Sequence, residues 1–160
     1  MLKRITSLIC AALCVVSLCA CGDSSKQVSM YDLQNSMLEA DESLPEMKVT
    51  GSWEDDAEKA FSYISDLDYS KVTGYFLAYA ADGMAYEIAV VQLKNKDDAS
   101  AAADSLKSHV QDRVQLYKTY EPEQTGRAEN AVVKTEGSFV LLIMCDNQQK
   151  VETAFKDFVK

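Results

Sequence analysis

Between Tyr75 and Leu93 two strand-like runs, YFLAYAA and MAYEIAVVQL, flank Asp82-Gly83. An Asp-Gly pair supplies the backbone freedom that a tight two-residue turn demands, so the stretch predicts a β-hairpin whose register counts outward from that turn. Counted so, Ala81 stands opposite Met84, Tyr79 opposite Tyr86, Leu77 opposite Ile88 and Tyr75 opposite Val90, all on one face. The other face then carries Phe76, Ala78, Ala80, Ala85, Glu87, Ala89 and Val91, and its small side chains would let a helix approach closely. Two readings fit the tyrosine ladder of Tyr75, Tyr79 and Tyr86: core beneath another helix, or an exposed aromatic contact surface.

Around this hairpin the apolar periodicity predicts further elements. Ser29 and Asp32 have capping-box spacing ahead of a helix through about Ala40, with Met30, Leu33 and Met37 on one face. Glu46 to Thr50 is a short candidate strand. Ser52 and Asp55 repeat the capping spacing before Trp53, Ala57, Ala60, Phe61 and Ile64, which recur at helical intervals as core positions. Asp97 to Tyr120 is the longest helix, with an apolar stripe through Ala99, Ala102, Ala103, Leu106, Val110, Val114 and Tyr117. Arg113 projects within that sector. After a polar loop from Glu121 to Arg127, a second hairpin joins Ala131–Thr135 to Ser138–Cys145 near Glu136-Gly137, and a helix with Val151, Ala154, Phe155, Phe158 and Val159 closes the chain. Hairpin, helix, hairpin, helix predicts a two-layer α+β domain over residues 29–160, a four-stranded antiparallel sheet with helices packed on it.

The N-terminus constrains location instead of fold. Lys3 and Arg4 precede an apolar run from Ile5 to Leu18, and Leu18-Cys19-Ala20-Cys21 then reads as a bacterial lipobox. The run falls short of the roughly 20 residues a membrane-crossing helix needs. Residues 1–20 are therefore expected to be a lipoprotein signal peptide, with Cys21 the lipidation site and 21–28 a polar tether. Two acyl chains (palmitate-type), each contributing about 0.8 kcal/mol per buried methylene, would hold the protein on the extracytoplasmic face of the cell membrane. Of five cysteines, Cys10, Cys14 and Cys19 leave with the signal; once Cys21 is acylated, Cys145 has no partner for an intramolecular disulfide.

The chain carries 16 Lys and Arg against 25 Asp and Glu, and loss of Lys3 and Arg4 takes the formal charge from -9 to -11. Such a surface lacks the cations that displace counterions from phosphates, so nucleic acid is not an expected partner. No catalytic grammar stands out. Cys145 and the sole histidine, His109, are the only thiol and base, but Cys145 ends the apolar run VLLIMC and reads as a core residue. One histidine and one unlipidated cysteine make no zinc site, no acidic segment has calcium-loop spacing, and no glycine-rich phosphate loop is present, so no cofactor or metal is expected. Glu87 and Arg113 are the charged exceptions on apolar faces. Either they form a buried ion pair, since an unpaired buried charge is costly, or Arg113 recognises a ligand carboxylate at a pocket rim.

LPEM at Leu44–Met47, EIAVVQLKNKDDA at Glu87–Ala99, Arg113, YEPEQ at Tyr120–Gln124, ENAVVKTEGSFVLLIM at Glu129–Met144 and the terminal VETAFKDF, taken with the lipobox, resemble domain of unknown function 4358. That resemblance implies a small, secreted, lipid-anchored bacterial module and brings no activity, cofactor or catalytic residue with it. The expected function is thus a non-enzymatic module that binds a small molecule or a protein partner. The rivals are a surface hydrolase using carboxylates and an accessory subunit of a transporter or envelope assembly.

Overall fold

A computed structural model describes residues 28–160; the signal-peptide, Cys21 and most of the tether expectations lie outside that range. Five antiparallel strands, β1 (Met47–Gly51), β2 (Val72–Ala80), β3 (Glu87–Leu93), β4 (Val132–Glu136) and β5 (Phe139–Met144), form one sheet in the order β1-β2-β3-β5-β4. The expected four-stranded sheet is therefore short by one. The stretch from Glu46 that reads as an isolated strand becomes β1, at the edge of the first hairpin, with Val49 opposite Ala78.

The expectation of two layers is also corrected, because helices cover both faces. On one face α1 (Met30–Glu39) and α5 (Gln148–Val159) bury Leu33, Met37, Val151 and Phe155 against Phe76, Ile88, Val90, Leu141 and Ile143. On the other, α2 (Ala57–Phe61) and α3 (Ala99–Tyr120) bury Phe61, Ala102 and Leu106 against Tyr75, Leu77, Ala89, Val91 and Leu142. A strand buried on both sides needs apolar side chains at successive positions instead of alternate ones. Every residue of β3 is buried accordingly.

The first hairpin does not close in a two-residue turn at Asp82-Gly83; the connection is wider and centred on Gly83. β2 ends at Ala80 and β3 starts at Glu87, and the register pairs Tyr79 with Glu87, Ala78 with Ile88, Leu77 with Ala89 and Tyr75 with Val91. Distant partners explain the wider connection: Tyr117 Oη donates to the Gly83 carbonyl at 3.1 Å, and the Ala85 amide donates to Gln124 Oε1 at 3.3 Å. Ala85 is thereby buried with Val114, Tyr117, Ala128 and Met144. Gly83 still takes the positive φ, 84°, that an Asp-Gly pair offers, and Asp82 Oδ1 accepts from the Met84 amide at 3.0 Å. A one-residue change of register moves side chains to the opposite face. Glu87 therefore shares a face with Tyr75 and Tyr79, and Tyr86 leaves the ladder.

Three local expectations change as well. Ser52 caps no helix; its amide donates to the Tyr75 carbonyl at 2.9 Å, extending the β1–β2 pairing, and α2 begins only at Ala57. Trp53 is not core but 40 % exposed, its ring folded over Gly51 and edge-on to Tyr31 at 5.7 Å. Part of the loop expected after Glu121 is helical, with α4 spanning Thr125–Glu129.

Asp41 fastens α1 to α5 and makes an acid-sensitive joint. Burial pushes its carboxyl pKa up, but hydrogen bonds from Ser43 Oγ (2.7 Å), Asn147 Nδ2 (2.9 Å) and the Ser43 amide (3.1 Å) outweigh that and hold it below its ordinary 3.8. A carboxyl depressed in the folded state contributes stability above its unfolded pKa and loses it as pH falls through the folded value. Asp41→Ala should therefore cost about 1–3 kcal/mol at pH 7. In thermal melts the gap from the native protein should narrow as the pH drops below about 4; a gap that is constant down to pH 2.5 would contradict the assignment.

Candidate functional site

Between α2 and α3, above the sheet, lies a cavity of about 470 Å³. The segment from Asp56 to Ile64 supplies one wall with Asp56, Ala60, Tyr63 and Ile64, the strands supply the floor with Thr50, Leu77, Tyr79 and Glu87, and α3 supplies His109 and Arg113. Helical geometry explains the last pair. Residues four apart lie on one face, and Ala102, Leu106, His109, Arg113 and Tyr117 follow one another at intervals of three or four along the buried stripe of α3.

Glu87 opens β3, and its side chain is only 5 % exposed. His109 Nε2 lies 2.6 Å from Glu87 Oε1. A carboxylate can only accept, so Nε2 carries the proton of this bond. Arg113 Nε lies 3.5 Å from Glu87 Oε2, in ion-pair range without hydrogen-bond geometry. The guanidinium is steadied from its other end: Nη2 donates to Tyr117 Oη at 2.6 Å, and the guanidinium carbon sits 4.9 Å from the Tyr117 ring centre. Burial, opposed in part by Arg113, raises the Tyr117 phenol pKa. It stays protonated and passes the bond on to Gly83.

The structure brings Glu87 and Arg113 together but scatters the three tyrosines. Tyr75 is fully buried, its Oη donates to the Ala57 carbonyl at 2.6 Å, and burial pushes its pKa up to about 12; it is core and offers no contact surface. Tyr79, 39 % exposed, stands at the cavity. Tyr86 lies elsewhere, 3.9 Å beneath the Arg127 guanidinium and 3.0 Å from Asp146 Oδ2, where Arg127 and Asp146 form a 2.8 Å ion pair. Tyr75, Tyr79 and Tyr86 therefore do not share one exposed surface; of the two alternatives, Tyr75 takes the core one.

His109, Asp56 and Tyr63 are site residues that the sequence reading missed. For His109 a signal was present: it stands three residues after Leu106 and four before Arg113, so whatever Arg113 faces, His109 faces too. Cys145 belongs to the core on the opposite face of the sheet, where burial raises its thiol pKa to about 11. It is remote in role from His109. Ser65 and Ser105, which line a second surface recess with His109, are hydrogen-bonded to each other at 2.9 Å, and Ser105 Oγ donates to Asp66 Oδ1. Among the described residues no hydroxyl or thiol is hydrogen-bonded to His109, no three His, Cys, Asp or Glu side chains converge as metal ligands, and no helix is long and apolar enough to cross a membrane.

The chain matches no curated protein and no solved structure. A family model described as Domain of unknown function (DUF4358) matches residues 46–145. The match runs from the start of β1 to the end of β5 and takes in Glu87, His109 and Arg113, while α1 and α5 fall outside it. Covering more than half of the chain in one stretch, it establishes that the protein belongs to the DUF4358 family.

Proposed function

We propose that this protein is a bacterial lipoprotein, held by acyl chains on Cys21 at the extracytoplasmic face of the membrane, whose domain binds a small ligand between α2 and α3. The lipobox after a short apolar run supports the anchor. The binding half rests on one observation: a buried Glu87, paired with His109 and Arg113, at the base of a cavity whose other walls are largely apolar and aromatic. Ligand sites are typically concave and apolar with a few convergent polar groups, and this cavity has that form. A hydrolase using carboxylates has less support, because Glu87, one of the two carboxylates at the cavity, is held in place by His109 and Arg113.

Cys21→Ala should leave the protein unacylated and release or mis-process it, since the acyl chains are the expected membrane anchor of an acidic domain. Unchanged fractionation together with an unmodified N-terminus in mass spectrometry would contradict the anchor. For the cavity, a metabolite library screened by thermal shift should yield compounds that stabilise the native protein and lose most of that effect in Tyr79→Ala. A library without any stabilising member would contradict a ligand site there.

A further inference from the structure

Resting on that reading of the cavity, we propose that its ligand is a small protonated amine with an apolar body, its ammonium group donating to Glu87 Oε2. The two oxygens of the Glu87 carboxylate are not equivalent. Oε1 is taken by His109, but among the described residues no hydrogen bond reaches Oε2. Its nearest cation, Arg113 Nε at 3.5 Å, is itself an unpaired buried donor. That nitrogen is sealed from solvent, so a ligand cannot reach it, whereas Glu87 lines the cavity and its Oε2 is not among the sealed, unpaired polar atoms. A carboxylate side chain 5 % exposed, with an oxygen lacking a donor, has an unmet demand for N–H.

The rest of the lining selects the same class. Asp56 and Glu87 give two negative groups against the single fixed positive charge of Arg113, whose Nη2 is already given to Tyr117. A ligand carboxylate drawn to Arg113 would also approach the Glu87 carboxylate, 3.5 Å from Nε, and the like charges oppose that approach. Tyr63, 69 % exposed, and Tyr79, 39 % exposed, present aromatic rings beside the opening, and ring faces attract an ammonium group. Ala60, Ile64 and Leu77 supply an apolar wall for the body of the molecule.

The test is calorimetric titration of the mature chain in detergent micelles with 2-phenylethylamine, its N-acetyl derivative and 3-phenylpropionate, each corrected against micelles alone. The amine should bind at least tenfold more tightly than either of the other two, and Glu87→Gln, which keeps the shape but removes the charge, should weaken amine binding at least tenfold. Because Glu87→Gln also disturbs the ion pair, its near-ultraviolet circular dichroism is compared with that of the native protein. If the variant is unfolded, the comparison of the amine with its acetylated form on the native protein decides alone. Equal binding of amine and acetylated amine, or tighter binding of the carboxylate, would overturn the amine class while leaving the cavity as a ligand site. Absence of binding by all three would overturn the amine proposal, and failure of the metabolite screen as well would remove the cavity reading with it.

Discussion

A fragment trimmed to residues 46–145, the stretch matched by the family model, is expected not to fold. It retains all five strands and α2 to α4, but it lacks α1 and α5. Those two helices bury Met30, Leu33, Met37, Val151 and Phe155, none more than 6 % exposed, against one whole face of the sheet. Each large apolar side chain fully buried contributes roughly 1.5–3 kcal/mol, so five of them match the whole net stability of a typical domain, about 5–15 kcal/mol. The loss is compounded from the sheet side, where Phe76, Ile88, Val90, Leu141 and Ile143 would face water. The fragment should bind a hydrophobic dye, lack near-ultraviolet circular dichroism and show no cooperative melt, whereas residues 28–160 melt cooperatively. A sharp melting transition in the fragment would show that the second layer of helices is dispensable.

Removing Glu87 is the second large effect. Glu87→Leu leaves Arg113 without its counter-ion and His109 without its acceptor, and breaking one partner from a buried pair typically costs about 3–5 kcal/mol. Arg113→Leu should cost less, about 1–3 kcal/mol, because its side chain is 28 % exposed, while Glu87 keeps its bond to His109. Replacing Glu87 and Arg113 together by leucine removes the charge and its desolvation at once. The double variant should therefore be more stable than the sum of the single effects by about 2 kcal/mol or more. Chemical denaturation of the four proteins measures this coupling; additive effects within about 0.5 kcal/mol would mean that the two charges do not interact in the folded state.

Elements defined by local pattern were legible in the sequence. Ser29 caps α1, with the Asp32 amide donating to its hydroxyl at 3.3 Å, and the stripe that places Arg113 on the covered side of α3 is the stripe observed. What was not legible depended on partners far along the chain. The Asp82-Gly83 pair has a strong local preference for a tight turn, but Tyr117 and Gln124 hold the connection open from α3 and from the turn after it. That single override carried Tyr79 onto the face of Glu87 and dissolved the tyrosine ladder. The second layer of helices did leave a trace: Ile88-Ala89-Val90-Val91 and Val140-Leu141-Leu142-Ile143 are continuous apolar runs, which a sheet covered on one face alone does not require. For β1, nothing within Glu46 to Gly51 specifies an edge position beside β2; pairing of Val49 with Ala78 is decided by the whole sheet.

Backbone amide chemical-shift mapping decides whether a ligand sits on Glu87 between α2 and α3. Isotope-labelled residues 28–160 are titrated with the small molecule that raises their melting temperature most. The largest shifts are expected at Ala60–Ile64, Leu77–Tyr79, Glu87 and His109–Arg113, with α1 and α5 unmoved on the far side of the sheet. Shifts concentrated on α1, α5 or β4, with Glu87 and His109 silent, would contradict that placement.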